Sequence, residues 1–465
     1  MSKGCSRIRE ALLPSRIKRF MSFAKFTALM LSIASVGIAQ AEDLSPVEKR
    51  ALAGREAVGS VSGMAGDARV WTLADSVRRA LDTAPELRAA EAEIAARTAE
   101  LAQAEAWPNP SVDLDANNRL GQEDGRGGTS LTRIGLSQPL PLRRIAHQRA
   151  AAEANLESAR ANSRYRQLLL EREVARVFHA LQLAAAKRQL AEERLRLVAE
   201  SPDASRKSDR LVRYLTPLER QRLSILNEEA GQAVAAAERE QQKALIDFRA
   251  LLALPNGTRA EPEGLTLPSE PANLVTLTRE LESHPALLAS RKEAEAAQAG
   301  IAVAESQRYA DPTLSLYRER DYLAGARRDV TGVGISVQIP LWNTGNGSVA
   351  KAGAEAARMQ AQLMLVQRDA GSRLEQAHAQ LRGLLEQTGR LRTNLLEPAR
   401  AMYTLTRRSF AAGELNVLSL VDANNTYFDA LARYLELQQE CALAAADLRI
   451  ASGVSLLDLS KEPTR

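Results

Sequence analysis

Cysteine is nearly absent: there are two in 465 residues. Cys5 lies ahead of an apolar leader and leaves with it. Cys441 is then alone, so the exported chain has no internal disulfide. Its setting, LQQECALAAADLR, is a helical pattern in which it fills a small packed position. Histidine is also scarce. His147, His179, His284 and His378 have no second ligand at metal spacing. His179 and His378 fall on long helical segments, as packed or surface residues. Aromatics make up 4% of the chain against 45% apolar residues. That balance disfavours a globule with large aromatic anchors and fits close-packed, Ala-rich helices. No stretch beyond the leader reaches 18 consecutive apolar residues, so any entry into a membrane does not use a hydrophobic helix. There is no G-x-S-x-G, P-loop or Rossmann fingerprint. The segment GNGSVAKAG opens a helix after Pro340-Leu341 without a βαβ context. No enzyme chemistry, resident metal or cofactor is implied.

The leader occupies residues 1–41. Arg16, Lys18, Arg19 and Lys25 give a basic start. Phe26 to Ile38 is apolar, and Ala39-Gln40-Ala41 supplies a small-residue cleavage site. A transmembrane helix needs about 20 apolar residues, and this run is shorter. Met21 is an alternative start. Glu42 follows the cleavage site, so no cysteine stands where a lipid anchor would be attached. The first 41 residues carry seven basic side chains and one acidic. That exceeds the whole chain's net charge of +5, so the remainder is slightly acidic. The basic pI is a targeting feature and gives no reason to expect nucleic-acid binding.

What is present is an internal repeat. The stretch starting TAPELRAAEAEIAARTAEL at Thr83 is echoed by SHPALLASRKEAEAAQAGI at Ser283. Pro85 matches Pro285, Leu87 matches Leu287, and Pro110 matches Pro312. Gly135, Ser137, Pro141 and Leu142 match Gly334, Ser336, Pro340 and Leu341. The first repeat covers 71–253 and the second 275–455. They are preceded by an extension (42–70), joined by a loop-rich linker (254–274) and followed by a tail (456–465). Each repeat reads as a short helix (Trp71 to Thr83, Val275 to Ser283), then a proline-entered helix (Pro85 to about Ala106, Pro285 to about Arg308). Two short strands follow, at about 111–119 and 131–140, then at about 313–322 and 331–340. Two long helices close each repeat, at about 145–200 and 216–253, then at about 347–396 and 398–450. The turn at the far end of each pair is marked by SPDASRKSD and by FAAGELN. A helix of about 50 residues is roughly 75 Å long and must lie against similar helices, in coiled-coil fashion. A cytoskeletal coiled coil would have neither strands nor a leader.

The strands alternate. In VGISVQIPL, Val333, Ile335, Val337 and Ile339 form an apolar face against Gly334, Ser336 and Gln338. A half-buried soluble sheet gives the same signal. Export and the aromatics favour lipid. Trp107 and Tyr309 precede the first and third strands and Trp342 follows the fourth, so an up-and-down arrangement puts all three at one level, as an interfacial belt. Four strands cannot close a barrel, and open edges are not tolerated in lipid, so other copies must complete the sheet.

The leader, the duplicated helix–strand–strand–helix–helix unit and the stretch FAAGELNVLSLVDANNTYFDALARYLELQ together resemble the TolC family of outer-membrane efflux proteins, over about residues 70 to 455. The segment GTSLTRIGLSQPLPLRRIAHQRAAAEA is most similar to the branch serving cobalt–zinc–cadmium resistance pumps. The resemblance implies a mostly α fold with a β-barrel. It implies a homotrimer with a 12-stranded barrel in outer-membrane lipid and a helical barrel across the periplasm. It further implies a periplasmic adaptor and an inner-membrane pump of the resistance–nodulation–division (RND) class as partners, with the channel passive. Acidic residues near the start of the last helix would ring the periplasmic aperture. Asp422 falls on one such position and Ser419 on a second. The family's gate tyrosine falls on Phe410 and its gate arginine on Leu415, so most of that polar lock is missing. The cargo, divalent metal ions or alternatively drugs or secreted protein, stays open. A periplasmic adaptor would carry one hairpin flanked by β-rich domains, and an exported hydrolase would need a nucleophile or metal motif.

Overall fold

The computed structural model describes residues 69–116, 132–207, 216–323, 326–412 and 414–458. The expected leader, nearly all of the extension, the tip of the first long hairpin and residues 459–465 lie outside them.

The elements in order are β1 (Arg69–Trp71), α1 (Leu73–Thr83), α2 (Pro85–Glu105), β2 (Ser111–Ala116), β3 (Thr132–Pro139), α3 (Arg144–Lys207) and α4 (Pro217–Leu251). Then come β4 (Ala260–Pro262), α5 (Leu274–Glu280) with a 3₁₀ turn at Leu281–Ser283, α6 (Pro285–Ser306), β5 (Thr313–Leu323) and β6 (Ala326–Ser336). The chain closes with α7 (Asn346–Leu391), a π turn at Arg392–Leu396, α8 (Glu397–Ala411) and α9 (Val417–Ser452).

Helix starts follow their caps. Thr72 caps α1 through the Asp75 N–H. Pro85 and Pro285 sit in the first turns of α2 and α6, where a missing N–H costs nothing. At α4, Thr216 and Glu219 form a full capping box. The α3 helix has 64 residues and so extends about 96 Å. Its length is covered by shorter partners: α2 and α4 of its own half, and α6 and α9 of the other.

The second long hairpin differs from the sequence expectation. The helix bounds drawn from the sequence put a break near 397, before Pro398, while FAAGELN (410–416) marked the turn of the pair. The chain continues through Pro398 as helix, and the break falls where FAAGELN marks it, between Ala411 and Val417. Proline removes one intrahelical hydrogen bond and crowds the preceding turn. The π turn at Arg392–Leu396 widens the helix just there and absorbs the misfit.

Two further differences concern strands. Trp71 belongs to β1, not to the first helix, and β4 lies inside the linker expected to be loop. The two pair in parallel, Arg69 to Ala260 through Trp71 to Pro262. This sets Trp71 edge-on to Phe248 at 5.7 Å, in a core with Phe178, Leu181 and Leu252. The fourth strand is β6, ending at Ser336 rather than near 340. Val337 and Ile339 therefore lie beyond the ladder, and Pro340 does not terminate it. Thr313 pairs with Ser336, and the next residue on that side is Pro312, which has no N–H to offer. Its carbonyl is taken by the Leu140 N–H at 2.8 Å.

The larger sheet has the order β2-β3-β5-β6, antiparallel throughout, with β2 and β6 as open edges. The ends of α2 and α6 and the starts of α3 and α7 all meet the sheet at one end.

One buried carboxylate ties the chain's last described segment to its centre. Glu171 on α3 is fully buried and accepts hydrogen bonds from the Leu456 N–H (2.7 Å), the Ser455 hydroxyl and the Gln167 amide. Gly453, at φ +83, turns the chain off α9 towards that contact. A side chain there would press on His284 and Pro285.

Candidate functional site

Two regions hold the sequence-predicted residues: the four-stranded sheet and the tip of the second long hairpin.

The sheet is two-faced, as its period-2 sequences require. One row across it is Val112–Leu136–Leu316–Val333. A row nearer the helices contains Leu314 and Ile335, and one farther away begins with Leu114 and Ile134. All eight of these side chains are exposed, Ile335 at 74%. Val337 and Ile339 are exposed too, beyond the strand end. Gln138 is a polar exception on this face, and its amide is taken by the Pro108 carbonyl at 2.9 Å.

The opposite face is polar. Its rows read Ser111–Ser137–Ser315–Gly334, then Asp113–Gly135–Tyr317–Gly332, then Asp115–Arg133–Glu319–Val330. The Ser137 hydroxyl donates to Asp113 at 2.7 Å. The end of the Tyr317 ring lies over Gly332, where an added Cβ would meet it. The Arg133 guanidinium stacks over that ring at 3.8 Å, a cation–π contact. Gly332 leaves room for the end of the Tyr317 side chain, which would have to swing aside for any larger residue.

Trp107, Tyr309 and Trp342 are all exposed, Trp342 at 94%. Each stands outside the strands but adjacent to the sheet's helical end: Trp107 before β2, Tyr309 before β5, Trp342 after β6.

At the hairpin tip, Phe410 is buried, packed with Leu223 of α4 and with Val417 and Leu420 of α9. Ser419 is engaged in capping: its N–H and hydroxyl both donate to the Asn416 side chain, at 2.9 and 3.0 Å. Asp422 is exposed one turn later, and its carbonyl accepts from Thr426. Ser419 and Asp422 share a helix face at i, i+3. Phe410 belongs to the apolar seal beneath them. Leu415 lies in the turn between α8 and α9, exposed.

The polar contacts at this end involve residues the sequence reading missed. Arg194 of α3 donates to Asn424 at 3.1 Å and to Asn425 at 2.7 Å. Tyr403 stacks on Tyr427 at 5.2 Å and both contact Phe428. Burial pushes the Tyr403 hydroxyl pKa up. Lys187–Glu436 and Arg172–Asp447 continue the α3–α9 seam away from the tip. A signal did exist. Two consecutive asparagines in a helix interior are poor helix formers, kept where their amides have a tertiary partner.

His179 and His284 are both buried, and burial pushes each below the usual histidine pKa. His179 bonds Gln182 at 2.7 Å. His284 caps α6 by accepting the Ala286 N–H at Nδ1, so its proton sits on Nε2, facing the Ile450 carbonyl. His378 contacts the Ala272 carbonyl. Among the described residues no group of His, Cys, Asp or Glu is arranged to hold a metal ion, and no helix is long and apolar enough to cross a membrane.

Known proteins match this arrangement. The model of the family described as outer membrane efflux protein matches residues 77–254 and 276–454. The cobalt-zinc-cadmium resistance protein CzcC of Cupriavidus metallidurans is 29% identical over 254 residues, which is 53% of this chain and 60% of that protein. The matched stretch thus spans less than two thirds of that relative. The solved structure of CusC, reported with its folding and transmembrane channel formation, superposes with a TM-score of 0.66 at 18% identity, over 86% of this chain and 96% of that one. The open-state MtrE outer membrane channel of Neisseria gonorrhoeae gives 0.66 at 20% identity, over 83% and 89%. At such identities the likeness is one of fold. With the family matched in both halves and a channel fold shared along most of its length, this chain belongs to the outer membrane efflux protein family, whose members are channels rather than enzymes.

Proposed function

We propose that the chain is the outer-membrane duct of a three-part efflux system. Three copies would join β6 to β2 around a twelve-stranded barrel, with the long helices forming a tube through the periplasm. A periplasmic adaptor and an inner-membrane RND pump would complete the path, and the duct itself would be passive. Divalent heavy-metal cations are the proposed cargo, on the likeness to the cobalt-zinc-cadmium resistance protein.

The exposed apolar face of the sheet carries this reading. Eight aliphatic side chains stand exposed there. In water, each would forgo about 1 kcal/mol of burial, on the order of 8 kcal/mol together, comparable to the stability of a whole domain. In lipid the same face costs nothing. The serine, aspartate and glycine rows of the other face suit a water-filled lumen. The two open edges require partners, because unpaired backbone is not tolerated in hydrocarbon. Twelve strands leave an open bore where eight would fill with side chains. Trp107, Tyr309 and Trp342 would mark the periplasmic surface of the membrane.

Asp422 and Ser419, above the Phe410 seal, are proposed to line the periplasmic aperture. Three aspartates around a narrow axis would attract cations. The Asp422→Ala trimer in a planar bilayer should show lower cation selectivity, and unchanged selectivity removes Asp422 from the aperture.

The test of the function is twofold. Heat-sensitive trimers should be recovered in the outer-membrane fraction, and a soluble periplasmic monomer would sink the duct. A deletion strain should become sensitive to zinc, cobalt or cadmium. Sensitivity to a drug panel alone would overturn the metal cargo and leave the duct standing.

A further inference from the structure

The exposed face of the sheet does not stay apolar along its length. On β5 it runs Leu314, Leu316, Arg318, Arg320. On β6 it runs Ile335, Val333, Thr331, Asp329. Arg318 and Arg320 therefore point to the same side as the leucines, one and two rows beyond them. Their positions match a membrane boundary. The chain from Tyr309 to Arg318 reaches at most about 31 Å, or about 24 Å along the membrane normal at a strand tilt near 40°. The apolar band of an outer-membrane barrel is about 25 Å tall. With Tyr309 at one edge of the band, Arg318 lies no farther than about its other edge.

The two arginines share one carboxylate. Arg318 Nη2 donates to Asp329 Oδ2 at 3.2 Å, and Arg320 donates to Asp329 from Nε at 2.8 Å and from Nη2 at 3.4 Å. Asp329 holds the two guanidinium groups side by side and neutralises one of them. One positive charge is left over. Three of the ten guanidinium N–H groups are engaged, and a guanidinium fork matches phosphate oxygens two at a time.

We propose that Arg318 and Arg320, set by Asp329, bind the phosphate of an anionic lipid headgroup in the outer leaflet. The inference rests on the membrane-barrel reading above. The occupant is a lipid rather than a soluble anion because the site continues the lipid-facing side of the strands. The lumen-facing side carries Tyr317 and Glu319 instead.

The test uses the full trimer in nanodiscs of phosphatidylcholine and phosphatidylglycerol in equal amounts. Retained lipid is counted by native mass spectrometry after gentle extraction. The wild type should retain phosphatidylglycerol over phosphatidylcholine about fivefold more than Arg318→Gln does, as expected for one uncompensated arginine at an anionic surface, and by a larger factor than Arg318→Gln/Arg320→Gln, which removes both positive charges. Because Arg318→Gln leaves the Arg320–Asp329 pair intact, it guards against misfolding of the double variant. Equal retention by wild type and variants overturns the proposal, as does loss of the preference when inorganic phosphate is added. If the wild type does not enter nanodiscs as a trimer, the membrane-barrel reading itself has failed. An inserted trimer without lipid preference would sink only the headgroup site.

Discussion

Ile335 in the sheet and Leu381 in α7 are both branched aliphatic side chains in regular amphipathic elements. Ile335 is 74% exposed and Leu381 is 2% exposed. Leu381 packs with Leu277, Leu374 and Leu448, drawn from three helices and both sides of the linker-proximal core. Ile335 has no such layer over it. The helical body solves its hydrophobic problem within one chain, because a long helix finds shorter helices to cover its stripe. The sheet solves half of it, because one of its faces has no covering layer. On the proposed membrane reading the difference marks a change of solvent: helices suited to water around a protein core, strands suited to a medium as apolar as themselves.

Substitutions can break this contrast. The largest effect is expected at Phe178, fully buried against Trp71 and Phe248. Phe178→Ala should cost about 3–5 kcal/mol in thermal unfolding of the helical body, and a loss under 1 kcal/mol would mean that this core is not the structural centre. Next comes Val333→Arg, which places a charge on the exposed sheet face and should cost about 2–4 kcal/mol of membrane stability. Normal trimer yield from that variant would show that the faces are reversed. Val333→Ala should be tolerated, which separates a charge effect from a packing effect.

Glu171→Ala removes the acceptor of the Leu456 N–H and should cost about 1–3 kcal/mol. Faster proteolysis of the segment after Ser452 would report the same loss. The smallest effect concerns pH. His284 titrates lower when folded than its unfolded value of 6.5, so the unfolded chain binds the extra proton first. The stability of this group is present above pH 6.5 and falls as pH drops below it, by up to about 1.4 kcal/mol per pH unit until the folded pKa is reached. His284→Asn should flatten that part of the melting-temperature profile. An unchanged slope would assign the pH dependence to other groups. The sheet, which carries none of the four histidines, should not contribute to it.

Much of the architecture was legible because its signals are local. Proline at 85, 285 and 312 fixes where helices start and where a ladder must stop. Alternation in SVDLDA and GVGIS gives the strands, and their faces follow from it. FAAGELN marked the turn of the second hairpin, but the helix bounds drawn at Pro398 were misplaced, because that proline is an equally local signal pointing the other way. A π turn overrides it, and no pattern in RTNLL announces one. At the tip, Phe410, Ser419 and Asp422 were read from a resemblance. Their structural settings separate them into a buried seal, a capping hydroxyl and an exposed carboxylate. Arg194 could not be linked to Asn424 and Asn425 from the sequence, since α3 and α9 are some 230 residues apart along the chain.

The sequence by itself determined most element types, their order and the two faces of the strands in the larger sheet, because period and turn chemistry act over a few residues. Only the tertiary structure decided which distant groups meet: β1 beside β4, Glu171 under Leu456, Arg194 on the paired asparagines, Asp329 between Arg318 and Arg320. Those contacts depend on how long helices and neighbouring strands register against one another. Register is set by packing summed along each element's whole length, which no short stretch of sequence contains.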